Sequence, residues 1–88
     1  MNRLFVAVLL AASAASVFAA ARCPAQPKGK WQPEAEFRKQ LASQGYRISR
    51  FRISGNCYEV EGRNRDNKQV EIDFDPVSGK PVRSDIED

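Results

Sequence analysis

In residues 68–75, Lys-Gln-Val-Glu-Ile-Asp-Phe-Asp, polar and apolar side chains alternate from Gln69 onward. A β-strand turns successive side chains to opposite faces, so the run predicts a strand. Val70, Ile72 and Phe74 would point to one side, and Glu71, Asp73 and Asp75 to the other. The first face has to be covered and the second has to stay wet or be neutralised. That excludes an all-helical chain and asks the rest of the sequence for strands to pair with and one layer to cover the apolar side.

The neighbouring segments supply both. Cys57–Arg63 alternates in the same way, with Tyr58, Val60 and Gly62 facing in and Cys57, Glu59, Glu61 and Arg63 facing out. Tyr46–Ile53 is predicted as a strand too, but Tyr46 and Ile48 fall in one phase and Phe51 and Ile53 in the other. A bulge near Ser49-Arg50 would bring all four to one face. The segments between are turns: Ser54-Gly55-Asn56, Asn64–Asn67, and Asp75–Lys80 with its Pro and Gly. Pro81–Arg83 is predicted as a short fourth strand at an edge, where a missing N–H is tolerated. Residues 84–88 are an acidic tail.

Ahead of the strands, Trp31–Gln44 is predicted as a helix. Pro33 suits the first helical position, and Glu34 and Glu36 complement the positive end of the helix dipole. Phe37 and Leu41 form a narrow i, i+4 stripe, which Trp31 or Ala42 extends, and Gly45 supplies a left-handed stop. The fold class is therefore α+β: one N-terminal helix packed on a three- to four-stranded antiparallel sheet. Trp31, Phe37, Tyr46, Phe51, Tyr58 and Phe74 are assigned to the core. Residues 22–30, with two Pro and almost nothing apolar, form an extended N-terminal arm.

Residues 1–21 look like an address. Arg3 is followed by an apolar or small run from Leu4 to Val17, and both Val17-Phe18-Ala19 and Ala19-Ala20-Ala21 offer a signal-peptidase pattern. A signal peptide cleaved near Ala19 or Ala21 is expected, with a periplasmic product and no stable membrane insertion afterwards. A lipid anchor on Cys23 is disfavoured by Arg22 just before it. Loss of Arg3 takes the formal net charge from +3 to +2, too little to announce a nucleic-acid partner. It leaves about twenty apolar residues in 67.

Cys23 and Cys57 are the only cysteines, and the chain has no His. Two thiols alone cannot close a zinc site, and a gap of 34 residues is no C-x-x-C. A disulfide is the structural reading in an oxidising compartment, and two free thiols are the alternative. Without His there is no Ser–His or Cys–His couple. Paired carboxylates in so small a domain have little room for a pocket that would tune them, so no catalytic residue, cofactor or metal is assigned and no enzyme is expected. A calcium loop through Asp73, Asp75 and Gly79 lacks the intervening oxygen ligands.

Gly45-Tyr46-Arg47-Ile48, then Gly55–Glu61 (Gly-Asn-Cys-Tyr-Glu-Val-Glu), then Lys68–Lys80 with its Asp-Pro-Val-Ser-Gly turn, together resemble the small stand-alone periplasmic form of the PepSY family. The resemblance covers residues 31–83. Asn67 stands where the family usually has Gly, and Asn tolerates the same left-handed conformation. The resemblance implies an exported binding module that inhibits or regulates a peptidase, and no catalytic residues come with it. The runner-up reading is an envelope accessory or sensor protein that binds a cation or a membrane protein. The candidate partner face is the outward row Glu59, Glu61, Glu71, Asp73 and Asp75, whose plainer reading is a solvated face paired with Arg47, Arg63 and Lys68. A second candidate, Arg47, Arg50, Arg52, Arg63 and Arg65, alternates with core positions as any half-exposed strand would. A monomer is expected.

Overall fold

A computed structural model describes residues 23–88; the leader assigned to residues 1–21 lies outside them. The elements run α1 (Glu34–Ser43), β1 (Arg47–Ser54), β2 (Cys57–Arg63), β3 (Gln69–Phe74) and β4 (Pro81–Glu87). The strands form one antiparallel sheet in sequence order, β1-β2-β3-β4. Every connection between neighbours is a short hairpin, and the predicted α+β class holds.

Three boundaries differ from expectation. The helix is not at the very start: Cys23 and the residues after it lead into a single 3-10 turn at Lys28–Lys30. Pro33 is the residue capping α1 rather than its first helical residue. β4 runs on through Glu87, so most of the acidic tail is strand. That tail shows no apolar alternation because it is an edge strand lying largely in solvent. Its backbone is held by pairing with β3, from Asp73↔Arg83 to Gln69↔Glu87, and needs no apolar stripe.

α1 ends as its sequence directs. Gly45, at φ 97°, donates its N–H to Ala42 O, and Tyr46 donates to Leu41 O, both at 3.0 Å. This Schellman arrangement satisfies two of the last carbonyls of the helix and swings Tyr46 onto Leu41's side. In β1 the register slips between Ile48 and Arg50, leaving Ser49 as the extra residue of a bulge. Ile48 and Phe51 consequently both reach the core side, as the sequence phase requires.

The core lies between α1 and the inner sheet face. Phe37 sits at its centre, with ring centroids 5.2 Å from Phe74, 5.3 Å from Tyr58 and 6.1 Å from Phe51. Leu41, Val60, Val70 and Ile72 fill in around it, and Trp31 closes one side edge-on to Tyr58. The polar tips of both large aromatics are satisfied: Tyr58 Oη donates to Gln32 O at 2.6 Å and Trp31 Nε1 to Gln26 O at 3.1 Å. The helix stripe is too narrow to cover the whole face. Ile53 and Ile86, at opposite edges of the sheet, remain 54% and 58% exposed.

The segment before α1 is sewn to the end of the sheet. Cys23 and Cys57 form a disulfide. Gln26 Nε2 donates to Asp75 Oδ1, Gln32 N to Pro76 O and Gln32 Nε2 to Val77 O. Cys57 belongs to the outer phase of β2 and Trp31 packs on the inner side, so the segment passes around the sheet end from one face to the other.

Candidate functional site: the outer face of the sheet

Registering the four strands sorts the outer face into rows. One row reads Arg52–Glu59–Asp73–Arg83 across β1, β2, β3 and β4. The next reads Arg50–Glu61–Glu71–Asp85, and the last Arg47–Arg63–Gln69–Glu87. Directly opposed like charges repel, so each row has to be judged by what neutralises it.

The first row is balanced. Arg52 bonds Glu59, and Arg83 Nη1 donates to Asp73 Oδ2 at 3.0 Å. Its two carboxylates are buried, Glu59 to 7% and Asp73 to 2% exposure. The bond from Arg52 holds Glu59 below the usual carboxylate range, while desolvation pushes Asp73 up against the opposing pull of Arg83. Asp73 Oδ1 is buried and has no hydrogen-bond partner among the described residues.

The second row is not balanced. Glu61, Glu71 and Asp85 stand side by side in a row whose one cation is Arg50; Asp85 is bonded by Arg83 Nη2 at 2.8 Å, and Glu61 and Glu71 have no salt bridge among the described residues. Glu71 is raised, first by a hydrogen bond shared with Glu59 and then by burial. The third row places Arg47 beside Arg63. Both turn to Asn67, Arg47 donating to its side-chain oxygen and Arg63 Nη1 to its carbonyl at 2.9 Å. Asn67 holds φ 63°, the left-handed conformation anticipated for it. A depression of about 700 Å3 lies at this end of the sheet, lined by Glu61, Glu71, Asp85, Arg47 and Arg63 and also by the opposite-phase residues Ile48, Val70 and Ile86.

The structure thus gathers Glu59, Glu61, Glu71 and Asp73 on one face, as the alternation requires. Asp75 is elsewhere. It lies past the end of β3, where its Oδ1 accepts from Val77 N, Ser78 N and Gln26 Nε2, and these bonds hold it below the usual carboxylate range. It organises a turn. The expected cation partners change too: Lys68 pairs with Asp88, Arg47 and Arg63 with Asn67, and the buried acids take Arg52 and Arg83 instead. Arg65 leaves the face altogether and donates to Gln44 O at the helix end. A fourth strand ending at Arg83 leaves Asp85 off this face, and the expected pairing with Arg47, Arg63 and Lys68 does not include Arg83. The i, i+2 spacing of Arg83, Asp85 and Glu87 was the available signal.

Among the described residues no group of three or more Cys, Asp or Glu is placed to hold a metal ion, and no helix is long and apolar enough to cross a membrane. The disulfide suits an oxidising compartment.

A helix followed by a four-stranded meander, with one face packed and the other charged, defines a small two-layer α+β module. The chain belongs to the PepSY family, described as peptidase propeptide and YPEB domain, which it matches over residues 3–85. No curated protein and no solved structure matches it. Family membership places it among propeptide-like, peptidase-associated modules.

Proposed function

We propose that this chain is an exported PepSY module, released by cleavage near Ala19 or Ala21, that binds a peptidase and restrains it. The contact surface is the outer face of the sheet, centred on Glu61, Glu71 and Asp85. The observation that carries the reading is the second row: Glu61 and Glu71 stand side by side with no salt bridge among the described residues, Asp85 beside them is bonded by Arg83, and the neighbouring row is neutralised within the fold. A surface that leaves like charges opposed forgoes stability, and a basic partner surface recovers it on contact. Family membership supports a peptidase as the owner of that surface.

The test is a titration of the exported protein against metallo- and serine peptidases, read as residual activity on a small peptide substrate. Saturable inhibition of one class is expected, weakened at least tenfold by the double substitution Glu61→Lys and Glu71→Lys. No inhibition in either class would overturn the reading. Inhibition indifferent to the double substitution would move the contact off this face.

A further inference from the structure

β4 is an edge strand with little to blunt it. It runs seven residues, Pro81–Glu87, and among the described residues it pairs with β3 alone. Its free side presents backbone N–H and C=O groups that another strand can take up, and natural edges are guarded against this by bulges, prolines and like charges. The opposite edge, β1, is guarded in that way: it carries the bulge at Ser49 and the cations Arg47, Arg50 and Arg52. On β4 the Pro and the bulge both fall at the start, around Pro81 and Val82, and the register with β3 then runs unbroken from Arg83 to Glu87. The same strand carries two exposed large hydrophobic residues, Val82 at 42% and Ile86 at 58%.

The order of side chains along β4 identifies what fits this edge. When a strand pairs antiparallel with its own copy about a twofold axis, one residue meets itself and its neighbours meet in reciprocal pairs. With Ser84 on the axis, Arg83 stands opposite Asp85 of the second copy, and Asp85 opposite Arg83 of the second copy. Val82 and Ile86 are brought opposite each other in the same reciprocal way. The adjacent registers fail. Arg83 on the axis sets Arg against Arg, and Asp85 on the axis sets Asp against Asp, and like charges directly opposed are destabilising. Arg83 and Asp85 are both within reach of a second strand, with side chains 38% and 56% exposed.

We propose that this chain forms a twofold dimer by antiparallel pairing of β4 with β4 of a second copy, centred on Ser84. The two four-stranded sheets become one continuous sheet. Arg83, which already bonds Asp73 and Asp85 of its own chain, gains a third carboxylate across the axis. The apolar side chains at the edge leave the solvent, and the two charged outer faces come to lie side by side. The inference goes beyond the proposed function and does not rest on it, since it concerns two copies of this chain and no peptidase.

The test is sedimentation velocity on the protein expressed with its leader and recovered after export. A single strand pair buries less than the ~1,600 Å2 of a standard interface, so a concentration-dependent dimer is expected. The series runs up to about 1 mM, where even a weak dimer is populated. Ser84 is exposed, so a charge there leaves the fold in place and acts on the axis, where each residue meets itself. Ser84→Lys and Ser84→Glu are each expected to lose the dimer. An equal mixture of the two variants is expected to regain it, because opposite charges then meet across the axis; unfolding of either variant would give no such recovery. A wild-type protein that stays monomeric throughout the series would overturn the dimer and leave the edge to a strand of another protein. Dimers that persist in both single variants, or a mixture of folded variants that stays monomeric, would also overturn it. Should either variant fail to fold, the wild type decides alone: a nuclear Overhauser contact between Ser84 residues of labelled and unlabelled copies supports the pairing, and its absence in the concentrated sample removes it. The measurement decides between this dimer and the monomer expected from the sequence.

Discussion

Glu59 and Glu71 show how two carboxylates of the same face come to opposite electrostatic states. Arg52 bonds Glu59 and holds it ionised, so Glu71 has to share a proton with it and titrates high. The signs follow from that. A carboxyl raised in the folded state contributes stability that is present below its ordinary range and lost as pH rises through the raised value. Glu71 and the desolvated Asp73 act in this way. Glu59 and Asp75, held low, contribute stability above their ordinary range that is lost as pH falls through their lowered values. Glu71→Gln supplies a permanent N–H toward Glu59 and is expected to stabilise the protein at pH 7 by less than ~1 kcal/mol. The gain should shrink on acidification toward pH 4, as Glu71 takes up its own proton. Thermal melts of both proteins from pH 4 to pH 8 check this; a difference that does not change with pH would contradict it. The alternation placed these residues on one face, but which would be ionised was not legible in it. That depended on Arg52 standing opposite Glu59 rather than Glu61.

At the scale of elements, the bulge in β1 is the most consequential local feature, and Gly62 is its counterpart on β2. Opposite the bulge the β1 backbone comes so close that a Cβ on Gly62 would collide with the Arg47 carbonyl oxygen and lie 3.0 Å from Ile48 Cα. These are backbone atoms that cannot swing aside. Gly62→Ala should therefore cost about 1–3 kcal/mol, the range of a forced overpacking, and shift the β1–β2 register. Urea unfolding followed by circular dichroism measures the loss; a neutral substitution would mean that the bulge is softer than its geometry. The bulge was legible, because the apolar phase switches between Ile48 and Phe51. The need for glycine at residue 62 was not, since it arises only when the two strands meet. β4 is the opposite case: its start was read from Pro81, but its length came from pairing with β3, which leaves no trace in an edge strand's hydropathy.

For the molecule as a whole, the disulfide compensates for a thin core. One stripe of helix, carried by Phe37 and Leu41, and Trp31 at the side cover a sheet whose edges stay open. A bridge spanning 34 residues restricts the unfolded chain enough to contribute ~4 kcal/mol in the chain-entropy account. That is comparable to the whole net stability a core of this size supplies. Reduction is accordingly expected to lower the urea midpoint sharply or to unfold the protein at 37 °C. Unfolding curves with and without reductant, far from any change in pH, test it, and superimposable curves would show that the core holds without the bridge. The sequence by itself determined the strands and their faces, the helix and its stop, and the one pair of thiols able to meet. All of these are properties of neighbouring residues or of simple counting. Only the tertiary structure decided that Asp73 is buried beside Arg83, that Asp75 serves a turn, and that Glu61 and Glu71 stand side by side without a salt bridge among the described residues. Neutralisation is a relation between strands, set by a bulge, two turns and the length of an edge strand, and no single stretch of sequence contains it.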